Sequence, residues 1–575
     1  MHRQDAALHS GGSSTTRTTG AGTTGKQTNN RDNGLTKRTP AMTISLTRAE
    51  TRAPTSGMTA EERKVILASS FGALMEWYDF YIYAALAVYF GALFFPPGNE
   101  TAAFLASLAT FGAGFLIRPV GALLFGRLGD LIGRKYTFLV TILLMGVATV
   151  GVGVLPTYEQ IGITATVLLV LLRLLQGLAL GGEVGGAVTY VAEHSPASKR
   201  GLYTSSLQTT ATLGLLASLF VVYLLKTFLT EAEFRAWGWR IPFIVSLVML
   251  VISVYIRGKL HESPVFARMK AGNATSKSPI RESFTQWKNL KSVLLLFVVA
   301  AGLGAIFGTG HFYSMFFLNK TLHVPIETVH KLIAVALVVA TPCYLFFGWL
   351  SDRIGRKYIM MAACLLAALC TQPVFKGLTH YANPALEQFQ RQGTVQVTAG
   401  DCKARLFGEP VSACDKIRGY LTDLGVGYTF VPASDPAQAE VRIGDRTLQG
   451  FDRAAIKGAL LAAGWPEHAD PARMNTPMVF VLLLVPILFL AMVYGPMAAF
   501  MVELFPARVR YTSLSLPFHL GAGWVGGMLS FVVTAMNVSS GDLYFGLWYP
   551  VVIAGLAFVI GMVFVPETRG RDLST

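Results

Sequence analysis

The sequence predicts an all-α membrane protein: twelve transmembrane helices in two six-helix bundles, with a small α/β module inserted into the second. Three observations carry that reading. Of 575 residues, 52% are hydrophobic and only 14% charged, with a mean hydropathy of +0.48, whereas an ordinary soluble domain is about a quarter charged. The apolar surplus falls in blocks of about 20 residues, the length that crosses a bilayer core. One eleven-residue element also occurs twice, 222 positions apart. A net charge of +15 would point to nucleic acid in a soluble chain. Here the position of the charge carries the information, and no nucleic-acid partner is expected.

Residues 1–60 are rich in Thr, Ser, Gly and Arg and hold no apolar run. That composition cannot build a core, so they read as a disordered cytoplasmic tail. Gly20 to Gln27 nearly spell a phosphate loop, but Gln27 stands where Ser or Thr would hold magnesium, and no strand precedes it. The apolar segments follow at about 65–95, 102–125, 137–155, 163–187, 205–225, 241–257, 292–317, 331–349, 359–375, 477–500, 511–536 and 545–565. They define an N-terminal bundle (61–257), a cytoplasmic central loop (258–291), a C-terminal bundle (292–376 and 476–566) and a short cytoplasmic tail (567–575).

An even number of spans places both ends on one side, and Lys and Arg are retained in the cytoplasm. With the long loop set aside, thirty Lys and Arg fall on the side of the termini and five on the other. Both termini are therefore expected inside, in a multi-pass protein of the inner (plasma) membrane. The lipid bilayer is its standing partner, and the chain is read as a monomer.

The long outer loop, 377–475, is polar and carries Pro and Gly. It reads as a strand at 394–398, a helix at 413–424, a hairpin at 441–448 and a helix at 452–463, a periplasmic α/β module. Cys402 and Cys414 lie on the oxidising face, where disulfides persist, so a bridge between them is expected. Cys343, Cys364 and Cys370 fall within spans and read as packing residues.

The repeated element is Gly126-x-Leu-x-Asp130-x-Ile-Gly133-Arg134-Lys135-Tyr136 after span 2 and Gly348-x-Leu-x-Asp352-x-Ile-Gly355-Arg356-Lys357-Tyr358 after span 8. Glu193, Pro196 and Arg200 after span 4 recur as Glu503, Pro506 and Arg510 after span 10, 310 positions apart. The 88-residue excess of the second offset is about the size of the outer module. Two equivalent six-span units follow, with the module inserted in the second.

At these residues the chain resembles the major facilitator superfamily. It is most similar to the metabolite:proton symporter branch, which includes transporters of proline and betaine, 2-oxoglutarate, citrate and shikimate. The branch marks are Glu76-Trp77-Tyr78-Asp79-Phe80 in span 1, Arg118-Pro119 in span 2, and Arg173-x-x-Gln176-Gly177 with Gly181-Gly182-Glu183 in span 4. His261-Glu262-Ser263-Pro264 and Pro566-Glu567-Thr568 agree. The outer module is atypical of the branch, and the C-terminal coiled coil of its osmosensing members has no counterpart before residue 575. The resemblance implies that Asp130 with Arg134, and Asp352 with Arg356, form inner-gate contacts. It also implies, from the sugar-porter branch, that Asp79 and Arg173 form a protonation-gated pair.

Glu76, Asp79, Arg118, Arg173 and Glu183 all lie inside spans. Each costs roughly 2.5–3.5 kcal/mol at mid-bilayer, which signals pairing or a water-filled path. Three acids against two bases leave one carboxylate without a cation, and Glu76 is the leading candidate. An uncompensated buried carboxylate exchanges a proton in the physiological range, as proton coupling requires. Asp79, Arg173 and Glu183 complete the expected coupling set; the alternative is a structural ion-pair lattice.

Arg118 and Arg173 suit a substrate carboxylate, with Gln176 beside them. Trp77 and Tyr81, together with Tyr78 and Tyr83, could hold a quaternary ammonium, although aromatic residues in a span are more often packing. His311, Tyr313 and His519 are the cavity candidates of the second half. The expected function is secondary transport: proton-coupled uptake of a small carboxylate or zwitterionic metabolite, driven by the proton gradient, with no cofactor and no metal. The rivals are an exchanger or exporter using the same cavity, and a sensor using the outer module. No enzyme constellation is present in the sequence.

Overall fold

The computed structural model describes residues 60–96, 110, 112–259, 262–393, 395–400, 402, 412–435 and 438–573. The tail and its phosphate-loop-like stretch lie outside the described residues, as does His261. Ten helical stretches among the described residues are long and apolar enough to cross a membrane. They are span 3 (Arg134–Val154), span 4 (Ile163–His194), span 5 (Ala197–Phe228), span 6 (Gly238–Gly258), span 7 (Trp287–Thr321) and span 8 (Ile326–Ile354). Spans 9 to 12 are Arg356–Ala382, Thr476–Leu504, Arg510–Ser540 and Phe545–Phe564. Span 1 (Ala60–Phe94) is 35 residues long, and the described part of span 2 ends in the helix Arg118–Leu131. The architecture is twelve spans in two bundles of six. Large apolar side chains such as Val147, Val248, Val338 and Val563 stand exposed on the outer faces, the surface that a bilayer covers.

The repeated element has a structural cause. Gly133 (φ +137°) and Gly355 (φ +104°) turn the chain between spans 2 and 3 and between spans 8 and 9. A Cβ at either would strike a carboxylate, Glu262 and Glu567 respectively. Those carboxylates accept from the backbone N–H of Lys135 at 3.3 Å, and of Arg356 and Lys357 at 3.0 and 3.1 Å. Each acid thus satisfies the free N–H groups that open the next span and meets the positive end of its dipole. The internal repeat therefore extends to residues lying after spans 6 and 12.

Spans 7 and 11 are locally widened. Gly308–Tyr313, Phe317–Thr321 and His519–Val525 are π-helical, a geometry that concentrates at functional places. The two spans touch through glycine: an added Cβ on Gly304 would lie 2.8 Å from the Gly521 carbonyl oxygen, and one on Gly308 would lie 2.7 Å from that of Gly526. Such contact lets backbones approach closely.

Span 9 runs to Ala382, past the residue-376 boundary expected from hydropathy, because Leu378, Thr379 and Ala382 remain buried. The insert is a four-stranded sheet in the order β2-β1-β3-β4. Its strands are β1 (Val395–Ala399), β2 (Thr429–Pro432), β3 (Ala439–Ile443) and β4 (Arg446–Gln449). The β1 strand pairs parallel to β2 (Val397 opposite Phe430) and antiparallel to β3 (Val397 opposite Val441). A parallel neighbour needs a crossover, and the helix Ala413–Asp423 supplies it, opened by a Ser412–Asp415 capping box. The sequence reading missed β2, which is four residues long and ends in proline. Thr394 lies outside the described residues.

Val397, Ile417, Leu421, Val441 and Ile456 of the insert share one buried cluster with Phe317, Leu322, Phe375 and Val479 of the C-terminal bundle. Tyr428 donates its N–H to the Gly541 carbonyl at 2.9 Å, and His323 bonds the Leu424 carbonyl at 3.0 Å. The insert is thus welded to the ends of spans 7 and 11. Cys402 and Cys414 form a disulfide 12 positions apart in sequence. Closing a loop of that size contributes about 3 kcal/mol. Cys414→Ser is expected to make the insert, but not the spans, sensitive to limited proteolysis; equal resistance in both forms would contradict this.

Candidate functional site

Span 1 places Trp77 and Tyr81 one turn apart, and their rings stack at 5.5 Å. Span 2 brings Arg118 beside them, its guanidinium 4.6 Å from the Phe80 ring centre and 4.0 Å from that of Phe115. Span 4 adds Glu183, and the second half adds Phe307, Tyr494 and His519. Together these residues line a cavity of about 60 Å3 between the two bundles, room for about four or five waters. A smaller void of about 20 Å3 also lies against Trp77, Tyr81 and Tyr494 and is bounded by His311 and Tyr344. Arg118 is buried, and its Nε and Nη2 have no hydrogen-bond partner among the described residues. A buried guanidinium without an acid is an expensive arrangement unless an anion completes it.

The expectation that Glu76 lacks a cation is wrong. Arg257, counted among the cytoplasmic charges, is only 1% exposed. Its Nη1 donates to Glu76 Oε1 at 3.0 Å, its Nη2 lies 3.9 Å from Glu183 Oε1, and its guanidinium covers the Phe138 ring at 3.5 Å. The long arginine stem lets a residue at the end of span 6 reach back into the bundle. Gly72, one turn before Glu76, leaves the space: a Cβ there would collide with the guanidinium. Counting Arg257, three bases stand against three acids. The signal in the sequence was a glycine four positions from a buried acid, on one helical face.

Asp79 and Arg173 lie near each other without forming an ion pair. Asp79 Oδ1 accepts from Ser246 Oγ at 2.5 Å. Arg173 donates to Gln176 Oε1, and Gln176 Nε2 donates to Thr149 Oγ1 at 2.7 Å. The Arg173 guanidinium stacks 3.6 Å from the Tyr83 ring centre. Arg173 and Gln176 line neither void. Of the expected substrate contacts, the structure brings Arg118, Trp77 and Tyr81 to the cavity and His311 to its neighbour. It also brings His519, another cavity candidate, to the cavity and adds Tyr494, both from the second half, whereas Tyr313 lines neither void and packs in the second-half core, its hydroxyl accepting from Asn537 at 3.2 Å.

The two copies of the repeated element meet the opposite bundle reciprocally. Asp130 accepts from the backbone N–H of Tyr511 and Thr512, at 3.3 and 2.9 Å. Asp352 accepts from those of Gly201 and Leu202, both at 2.8 Å. Each aspartate therefore sits on the positive N-terminal end of a helix in the other half. Arg134 donates to the Ala507 carbonyl at 2.8 Å, and Arg356 holds Asp352 and Glu503 at 2.9 and 3.1 Å. Arg510 pairs with Glu193 and Arg200 with Glu503, each at 2.8 Å across the halves. The ring of Tyr511 lies against Gly129, Gly185 and Gly186, and its hydroxyl donates to the Gly182 carbonyl at 2.6 Å. At this end of the molecule the two bundles are held together.

Residues 65–293 and 443–575 match the family described as sugar (and other) transporter. The inner membrane metabolite transport protein YhjE of Escherichia coli (strain K12) is 30% identical over 515 residues, 89% of this chain and 95% of that protein. The alpha-ketoglutarate permease of the same organism is 34% identical over 66% of this chain and 86% of its own length. Its shikimate transporter is 35% identical over 55% of this chain and 72% of its own length. Among solved structures, the major facilitator superfamily proton:xylose symporter XylE bound to 6-bromo-6-deoxy-D-glucose superposes with a TM-score of 0.59. That match has 16% identity and covers 89% of this chain and 98% of the other.

Proposed function

This chain belongs to the sugar (and other) transporter family of the major facilitator superfamily, and on that premise we propose proton-coupled uptake of a small carboxylate or zwitterionic metabolite by alternating access. The observation that carries the reading is Arg118: a buried guanidinium, without an acid partner among the described residues, in the wall of a void that both bundles line. A carboxylate satisfies it with charge-assisted hydrogen bonds, and the Trp77–Tyr81 stack lies alongside. Because the void lies between the halves, rocking of one bundle on the other carries its content across.

Asp79 is assigned as the proton carrier, with Arg173 as the cation beside it. Glu76 and Glu183, sharing Arg257, serve as fixed charges. Asp130, Arg134, Asp352 and Arg356 form the gate on the closed side, which the distribution of Lys and Arg places in the cytoplasm. The relatives named for alpha-ketoglutarate and shikimate, and the xylose neighbour titled a proton symporter, support the substrate size and the driving ion.

Reconstituted protein in vesicles with an imposed inward proton gradient is expected to accumulate a radiolabelled carboxylate. Arg118→Gln should reduce that uptake at least about a hundredfold, since hydrogen bonds to a charged group contribute about 1.5–3 kcal/mol each. Unchanged uptake in Arg118→Gln, or uptake by the parent protein that ignores the gradient, would overturn the reading.

A further inference from the structure

Transport through the central cavity gives the insert no task, yet the insert concentrates its chemistry at one point. The parallel strands β1 and β2, joined by the crossover helix Ala413–Asp423, form a β-α-β unit that the β3–β4 hairpin and the helix Arg453–Ala462 complete. Cys402 follows the carboxyl end of β1, Cys414 stands in the first turn of the crossover helix, and the two are bonded. Open α/β sheets carry their reactive groups at that end of the parallel strands, and a cysteine pair beside a β-α-β unit reads as a redox pair. The usual pair is three positions apart. Here the separation is 12 positions, so the place in the fold, rather than the spacing, singles the pair out.

The surroundings suit exchange better than stapling. Both anchors are held without the bond: Gly400 donates its N–H to the Gln438 carbonyl at 3.1 Å and Ala433 donates to the Ala399 carbonyl at 3.0 Å, which pins the end of β1. Ile417 and Leu421 of the helix share a buried cluster with Val397 and Val441. Arg418, one turn past Cys414, donates to the Val538 carbonyl of span 11 at 3.2 Å. Opening the disulfide therefore leaves both thiols positioned to close again. The two sulfurs are also unequal. Cys402 is partly exposed and Cys414 only 1% exposed, so an incoming thiolate reaches Cys402. The positive end of the helix dipole stabilises a thiolate on Cys414, and a more stable thiolate leaves faster.

We propose that the insert is a thiol–disulfide exchange site whose co-reactant is a thiol donor. A donor thiolate attacks Cys402 Sγ and forms a mixed disulfide, while the Cys402–Cys414 bond breaks and Cys414 leaves as the thiolate with the electron pair. A second donor thiolate attacks the donor sulfur of the mixed disulfide and releases Cys402 as a thiolate. Two donor thiols are oxidised to a disulfide, the Cys402–Cys414 disulfide is reduced to two thiols, and the two protons pass from donor to cysteines through water. Exchange with a disulfide in the reverse sense restores the bond. This chemistry needs nothing from the central cavity.

The test uses the purified full chain, with free thiols alkylated after acid quenching and the peptides of Cys402 and Cys414 identified by mass spectrometry. Dithiothreitol is expected to reduce the pair about tenfold faster in the folded chain than in the chain unfolded in urea and sodium dodecyl sulfate. A stapling disulfide is shielded by its fold, so a folded rate no greater than the unfolded one overturns the proposal. Quenching during reaction with reduced glutathione should trap the adduct on Cys402; an adduct on Cys414 overturns the assigned order of attack. Cys414→Ser, treated with oxidised glutathione, should accumulate that adduct, having no second thiol to resolve it. Reduced glutathione and reduced thioredoxin, at equal thiol concentration, separate the sources. Faster reduction by the first identifies a small thiol, by the second a protein dithiol, and failure of both overturns the proposal.

Discussion

Asp79→Asn is expected to abolish uphill accumulation while sparing the fold and the exchange of substrate across the membrane. Asp79 is 5% exposed within span 1 and accepts from the Ser246 hydroxyl at 2.5 Å, with the Thr149 hydroxyl also beside it. Asparagine has the same shape and still accepts that bond, so insertion and melting should hardly change. What it cannot do is bind and release a proton, or answer the charge of Arg173. A one-to-one symporter of a neutral species concentrates it about tenfold per pH unit of gradient, about 1.4 kcal/mol. In vesicles the variant should reach equal concentrations inside and out at every imposed gradient, while counterflow of labelled against unlabelled substrate persists. Accumulation at the parental ratio removes Asp79 from the coupling step.

Arg257→Ala should be the most damaging single substitution for stability. It strands Glu76, held at 3.0 Å, and leaves Glu183, at 3.9 Å, without its shared cation. Removing one partner of a buried pair costs about 3–5 kcal/mol because the remaining charge stays uncompensated. The expected result is a sharp fall in yield and melting temperature in detergent. The informative variant is Arg257→Ala with Glu76→Gln, which discards the stranded charge and should recover much of the loss. Arg257→Lys should fall between, since a point charge reaches Glu76 but not both acids over the Phe138 face. A single variant that melts with the parent would show that the pair contributes nothing.

The buried acids were legible because carboxylates are conspicuous in an apolar run, and the gate aspartates because their element occurs twice. Their partners were not legible. Arg257 looked like one more cytoplasmic charge: it follows span 6 within two residues of a lysine, and nothing local says that its side chain turns inward. Gln176 was grouped with the substrate contacts because it shares a helical face with Arg173. The structure turns that pair toward Thr149 and Tyr83, away from both voids. His519 could be listed from the sequence but not ranked, because only the tertiary structure brings it to the cavity. The insert was legible as a module, except for β2, which is too short to announce itself and exists as an edge beside β1.

The sequence by itself determined the number of spans, their grouping into two halves, the place of the insertion and the side that carries the Lys and Arg. All of these follow from hydropathy and repetition read along the chain, where neighbours in sequence are neighbours in the signal. Tertiary structure alone decided which charges cancel and which polar atoms find no partner among the described residues: Arg257 neutralises an acid 181 positions away, while Arg118 and His519 keep unpartnered nitrogens. Side chains several ångströms long, packed between helices from distant parts of the chain, set that balance, and in a medium of low dielectric a shift of one such contact outweighs any local preference.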